Sequence, residues 1–307
     1  MSRKLGIVIY SIGLVLTCFA QSASGDDRVD CAQAASPDRI IAACTASLSD
    51  PSTSESDSAF AFARRGFGYF LKHDYDRAWA DCEAALRLNQ SEGGAYLHRG
   101  LIQQIRGDLD SAIADFGRAL ALGWADPPGF PSPQVNRGIA YANKGDTRRA
   151  MQDFDATLRD DPNDIFARLG RGILNTYSGS PDRGAKDFRH IADLHPKDSI
   201  FALWLHIAEH RAGRESDLAV RSRQFNMTRW PAPAIRLMIG DGTLPLQLSD
   251  AEMASGLQCE ADFYSAEYLL WQRNKADAVR LYRSAQQRCL RIWVEWQAAT
   301  AALRSVE

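Results

Sequence analysis

The string His206-Ile-Ala-Glu209-His210 is the one stretch whose residue types and spacing could do catalytic chemistry. It fits H-x-x-E-H, an inverted zinc-peptidase pattern. On a helix, His206 and His210 share a face and could hold zinc, with Glu209 as the base. Such a motif counts only in its structural context, and here it lies beside apolar Trp204, Leu205 and Ile207. That neighbourhood favours a helix packed into a core, with His206 as a partly buried side chain and no resident metal. His73, His98, His190 and His195 stand singly, and no G-x-S-x-G, phosphate loop or CxxC occurs. Acid pairs such as Asp160-Asp161 fall at expected helix ends. The expectation is a non-enzymatic protein without catalytic residues or a cofactor.

Cysteines offer the other chemistry. Cys18 lies in an N-terminus that runs from basic (Arg3, Lys4) to apolar (Leu5–Ala20) to small and polar (Gln21–Asp27). This is the order of a secretory signal peptide, expected over residues 1–25. The apolar run is shorter than the roughly 20 residues a membrane span needs, and no later stretch is long and apolar enough for one. Lipidation at Cys18 would favour Gly or Ala just before it, and Thr17 stands there instead. The expectation is export with ordinary cleavage. In an oxidising compartment Cys31, Cys44, Cys82, Cys259 and Cys289 would pair and leave one over.

The elements that must position these residues follow from composition and repeats. The 307 residues carry 36 Lys+Arg against 38 Asp+Glu, for a formal charge of −2, and 45% are hydrophobic. This excludes wholesale disorder and leaves no basic footprint for nucleic acid. The dipeptide Arg-Gly recurs at Arg65-Gly66, Arg99-Gly100, Arg137-Gly138 and Arg171-Gly172, in steps of 34, 38 and 34 residues. Twelve residues past each glycine comes Ala78, Ala112, Ala150 or Gly184, and four further on Cys82, Phe116, Phe154 or Phe188. The segments RGFGYFLKHDYDRAWADCEAALRLNQ, RGLIQQIRGDLDSAIADFGRALAL and RGIAYANKGDTRRAMQDFDATLRDDP resemble the tetratricopeptide repeat family. The resemblance implies an all-α solenoid of helix A–turn–helix B hairpins, with degenerate units at both ends.

The small residues mark where helices A and B approach most closely, because glycine costs a helix about 1 kcal/mol against alanine and needs a packing reason to recur. Gly107, Gly145 and Gly179 fall in the A-to-B turns, and Pro162 and Pro196 end helix B. The extra residues between the second and third units are the proline-rich loop DPPGFPSP. One residue before each helix B core position stands Asp81, Asp115, Asp153 or Asp187. Every unit with the arginine has the aspartate, which predicts Arg–Asp pairs between packed helices.

Organisation follows from this register: a first hairpin at 26–48, a polar flexible link at 49–58 and four repeats at 59–198. A degenerate unit with an irregular insertion covers 199–258, and a repeat-like hairpin with a capping helix covers 259–307. Asp38–Leu48 aligns with Asp76–Leu86, so Cys31 and Cys44 face each other across the first hairpin. Cys259 begins and Cys289 ends the last hairpin, where they are neighbours. The expected disulfides are Cys31–Cys44 and Cys259–Cys289, with Cys82 free in the core. Ser265 and Leu281 stand where the other units carry Arg and Asp.

Tetratricopeptide stacks present helix A along a concave groove. In this register its lane comprises Phe67, Phe70, Leu71, Leu97, His98, Leu101, Ile105, Asn136, Ile139, Asn143, Ile173 and Tyr177, part of it core between units. Apolar Phe67, Leu101, Ile139 and Ile173 replace the Lys, Arg and Asn of a carboxylate clamp, so the expected ligand is an apolar helix or extended segment of a protein or peptide. SIFALWLHIAEHRAG, DFYSAEYLLWQRNKADAVRLYRSA and VEWQAATAAL further resemble the NlpI group of bacterial envelope proteins, over roughly Arg65 to Leu303. That resemblance implies a periplasmic adaptor for a processing protease and peptidoglycan hydrolases. The rival expectations are a zinc hydrolase on His206, Glu209 and His210, and a self-assembling envelope protein, with a homodimer contact through Trp293 and Trp296 or the groove.

Overall fold

The structure, a computed structural model, describes residues 31–34, 36–124, 130–246, 248–254 and 256–306. The expected signal peptide, Cys18 and much of the proline-rich loop lie outside the described residues. Every longer element among the described residues is an α-helix. In order these are α1 (Pro37–Ser49), α2 (Glu55–Leu71), α3 (Tyr75–Leu88), α4 (Gly93–Arg106), α5 (Leu109–Ala121), α6 (Pro133–Lys144), α7 (Thr147–Asp160) and α8 (Ile165–Tyr177). They continue with α9 (Pro181–Leu194), α10 (Ser199–Arg211), α11 (Leu218–Arg221), α12 (Ala232–Met238), α13 (Asp250–Ala254), α14 (Gln258–Trp271), α15 (Lys275–Arg288) and α16 (Val294–Val306). The chain forms two compact units, the first ending at Ala140 and the second beginning at Tyr141, inside α6.

The A-to-B turns share one construction. A residue in the left-handed region ends helix A, and in all of them but the Gly179 turn, where Ser180 makes no side-chain cap, the next side chain caps helix B. The left-handed residue is glycine at Gly107, Gly145 and Gly179 (φ 90, 89 and 86°), where a side chain would be strained. His73 and Arg273 take the same role at φ 60 and 59°. Asp74, Asp108 and Asp146 then accept from the backbone N–H of Arg77, Ser111 and Arg149 at 3.2, 3.2 and 3.0 Å. A cap of this kind contributes about 1 kcal/mol.

The repeat glycines do sit at close approaches. A Cβ on Gly100 would lie 2.7 Å from the Phe116 ring, and one on Gly172 would lie 2.9 Å from Phe188. Cys82, Phe116, Phe154 and Phe188 are fully buried. The polar link expected at 49–58 narrows to residues 50–54. Ser54 accepts from Asp57 N–H at 3.1 Å and starts α2 at Glu55, inside the polar stretch. Asp50 and Thr53 also hold that turn, through Ser52 N–H (2.8 Å) and the Ser47 carbonyl (2.7 Å).

The arginine–aspartate pairing is formed in three of the repeats. Arg65 reaches Asp81 at 2.8 Å, Arg99 reaches Asp115 at 2.7 Å and Arg171 reaches Asp187 at 2.6 Å. Each aspartate is buried and each arginine half-buried. Two arginines also grip an acid on the preceding helix B: Glu83 for Arg99 (2.5 Å) and Asp155 for Arg171 (2.7 Å). One guanidinium therefore ties its own hairpin and the previous one, which fixes register more than it adds stability.

The corresponding position after Asp115 is Gly117, whose Cβ would have only Arg137 Nη1 near it, at 3.9 Å. Gly117→Glu should supply the missing acid and a better helix former. It is expected to raise stability by about 1 kcal/mol and the melting temperature by roughly 2–4 °C. A thermal melt that falls instead would show that the site is not open.

Both expected disulfides are formed, Cys31–Cys44 with Cα atoms 4.6 Å apart and Cys259–Cys289 at 5.2 Å, and Cys82 is free and buried. The second unit centres on α10, which is buried all round from Ile200 to Glu209. Trp204 lies at its middle, between Phe188 and Phe263 at 5.8 and 5.2 Å.

Candidate functional site

The helix A lane divides between the two units. In the first, Phe67 of α2 stacks on His98 of α4 (centroids 4.8 Å apart), and Phe130 meets Phe67 edge-on at 5.3 Å. Arg64 places its guanidinium 5.6 Å from the Phe67 centroid while donating to the carbonyls of Ala32 and Ala34. Phe67, Phe70, Leu97, His98, Asn136 and Ile139 are buried. Leu71, Leu101 and Ile105 remain half-buried, and these are the lane side chains a partner could touch without rearrangement. Burial, then the Arg64 charge, lowers His98 to about 3, so the ring is neutral and adds no charge to this surface.

In the second unit the lane residues are covered. Asn143 donates to the Arg291 carbonyl at 3.1 Å, and Arg304 of α16 donates to the carbonyls of Ala142 and Asn143 at 3.2 and 3.0 Å. The Arg304 charge thus caps the C-terminal end of α6, where a cation is favoured. Ile173 and Leu174 of α8 face Gln297 and Ala301 of α16 across a cavity of about 20 Å³, room for one water. Tyr177 donates to Glu267 at 2.7 Å, beneath Arg211. The chain's own C-terminal helix therefore lies over Asn143 and Ile173, while Tyr177 is tied into a buried network. The capping helix α16 packs on the last hairpin, with Trp296 and Trp293 against the Cys259–Cys289 bridge, and it covers α8 as well.

The H-x-x-E-H string lies on α10 as expected, but its three groups do not converge. His206 meets the edge of Trp271 at 4.9 Å, and His210 stacks on the same indole at 3.9 Å. Glu209 is ion-paired with Arg189. Burial lowers His206 to about 4 and also lowers His210, so both rings are neutral at pH 7. Among the described residues no three His, Cys, Asp or Glu side chains are grouped to hold a metal ion.

Two buried ionic groupings have no counterpart in the repeat pattern. Arg211 of α10 binds Glu267 of α14 through two bonds of 3.0 and 2.9 Å. Tyr282 of α15 donates to the same carboxylate at 2.6 Å, beside the Tyr177 bond. Burial works against the Arg211 charge, but Glu267 and the two phenols more than offset it. The other grouping is Glu260 of α14 with Glu295 of α16. Trp230 Nε1 donates to Glu260 at 2.7 Å, and the Tyr264 hydroxyl lies 3.5 Å from Glu295.

No protein-family model matches the chain. Among solved structures it is similar to a tetratricopeptide repeat protein from Parabacteroides merdae, at 15% identity and a TM-score of 0.50, over 86% of this chain and 90% of that one. It is also similar to a chain of the APC/C hetero-tetramer Cut9–Hcn1, at 12% identity and a TM-score of 0.51, over 89% of this chain and 53% of that one. The repeat register, the turns and these likenesses together establish an all-α fold of the tetratricopeptide repeat type, with helices A and B stacked as hairpins.

Proposed function

We propose that the protein is an exported, non-enzymatic adaptor of the envelope, which holds an apolar helix or extended peptide segment of a protein partner on the lane of its first unit. The observation that carries this reading is the row of half-buried Leu71, Leu101 and Ile105 beside the Phe67–His98–Phe130 stack. An apolar, aromatic surface of this kind suits helix-in-groove recognition, and the likeness to the NlpI group suggests envelope proteases or peptidoglycan hydrolases as partners. The signal-peptide pattern at 1–25 supports delivery to the periplasm, and intact mass of the mature protein reads the cleavage.

A photo-crosslinker at Leu101 tests the lane. It is expected to give discrete adducts in the native envelope that disappear with Ile105→Glu. Adducts that survive Ile105→Glu, or form equally from exposed Val220, would overturn the assignment. The rival hydrolase reading has its own test: stoichiometric zinc in the purified protein, lost in His206→Ala, would replace the adaptor reading.

A further inference from the structure

Glu260 and Glu295 are the least expected buried groups in the chain. Their residues are 4% and 2% exposed, on different helices, with only neutral donors in reach. Glu260 accepts from the Trp230 indole, and Glu295 is near the Tyr264 hydroxyl and its own backbone N–H. The charged and titratable groups around them have been assigned elsewhere or are themselves acidic. Glu252 of α13 accepts from Trp230 N–H, and Asp198, the cap of α10, acts on Tyr264. Asp262 of α14 is held by Gln258 and Ser284, and Tyr282 of α15 donates to Glu267. Arg291 lies over the Trp296 ring, 5.7 Å from its centroid. Among the described residues neither carboxyl has an arginine or lysine partner.

Two buried carboxylates without a cation cannot both be charged at ordinary cost, so such a pair retains a proton. We propose that Glu260 and Glu295 are a proton-dependent latch for the C-terminal helix: α16 is seated on α14 while the pair holds a proton and is released when both carboxyls ionise.

The position of the pair favours release over general loosening. Glu295 lies in the first turn of α16, the last helix among the described residues, so ionisation of the pair bears on the seat of one helix, and a single helix can open as a local unit. Its other holds are the small apolar face Ala298, Ala299, Ala302 and Leu303, the bonds of Trp296 Nε1 to the Gln286 carbonyl and of the Gln286 amide to Thr300, the packing of Trp296 on the Cys259–Cys289 bridge, and the Arg304 cap at the far end. Release would uncover the lane residues Asn143 and Ile173, together with Leu174 beside them. Burial pushes Glu260 up to about 7 and raises Glu295, which the Glu260 charge raises further. With folded values above the ordinary 4.5, the seating is fully stabilised below about pH 4.5 and is lost as pH rises through neutrality.

Hydrogen exchange of the full chain at pH 5.5 and 8.5, corrected for intrinsic rates, tests the latch. Protection over 294–306 is expected to fall at least about tenfold relative to α8 and α10, the factor that one unit of carboxyl shift gives. Glu260→Gln and Glu295→Gln should each hold α16 protected at pH 8.5. Unchanged protection, an equal fall across α8 and α10, or a fall that persists in both variants would overturn the proposal. Should either variant fail to fold, the wild-type series decides alone: a loss confined to 294–306 supports the latch, and a uniform or absent loss ends it.

Discussion

Arg211→Ala is expected to destabilise the second unit by about 3–5 kcal/mol, the usual cost of removing one partner from a buried ion pair. Glu267 is fully buried and receives two bonds from Arg211 besides those from Tyr177 and Tyr282. Without the guanidinium, two phenols face a carboxylate in an apolar interior, and Glu267 must take up a proton or remain an uncompensated charge. Either outcome costs stability. Glu267→Gln should cost less, since an amide still accepts from the phenols. The double variant Arg211→Met with Glu267→Gln should recover part of the loss, as replacing both partners of a buried pair is far milder than breaking it. Urea denaturation of the three variants reads this directly. A loss below about 1 kcal/mol for Arg211→Ala would show that the network is solvated or repacks.

Much of this fold was legible in the sequence because a repeat states its packing rules several times. Recurrence of Arg-Gly, the small helix B residue and the aspartate located both helices and their ion pairs, and the same register paired Cys31 with Cys44. What escaped had no repetition behind it. Glu83 and Asp155 complete the inter-repeat bridges, but only two of the units carry an acid there, and Gly117 breaks the pattern. His73 and Arg273 take left-handed turn positions without being glycine, so composition did not mark them. The Arg211–Glu267 bond spans 56 residues and the Tyr177–Glu267 bond 90, separations at which a single sequence holds no signal. The lane was legible as a helix face but not as a surface. Periodicity identifies which side chains point inward, not whether a later helix such as α16 will cover them.

Removing the Cys259–Cys289 bridge is the second large effect. The two cysteines are 30 residues apart, and closing a loop of that length withdraws enough unfolded-state entropy to contribute about 3–4 kcal/mol. Cys31–Cys44 closes only 13 residues, so its contribution should be smaller, and it acts on α1 alone at the edge of the first unit. The C-terminal bridge also has a local role. Its sulfurs pack with Trp296 and Trp293, so it forms part of the floor beneath the start of α16. Cys259→Ser with Cys289→Ser is therefore expected to lower the melting temperature and also to lower protection over 294–306 at acidic pH, where the Glu260–Glu295 pair still holds its proton. The corresponding change at Cys31 and Cys44 should leave α16 untouched. Thiol counting supplies the control. The native, unreduced protein should label at no cysteine among 31, 44, 82, 259 and 289, because burial pushes the Cys82 thiol up and keeps it from reagent. Denatured without reductant it should label, among these five, at Cys82 alone. Melting that is indifferent to the serine pair would mean that packing of Trp296 on α15, through its bond to the Gln286 carbonyl at 2.9 Å, already holds the helix ends together. A fall in melting temperature with α16 protection unchanged would assign the bridge to the unfolded state only.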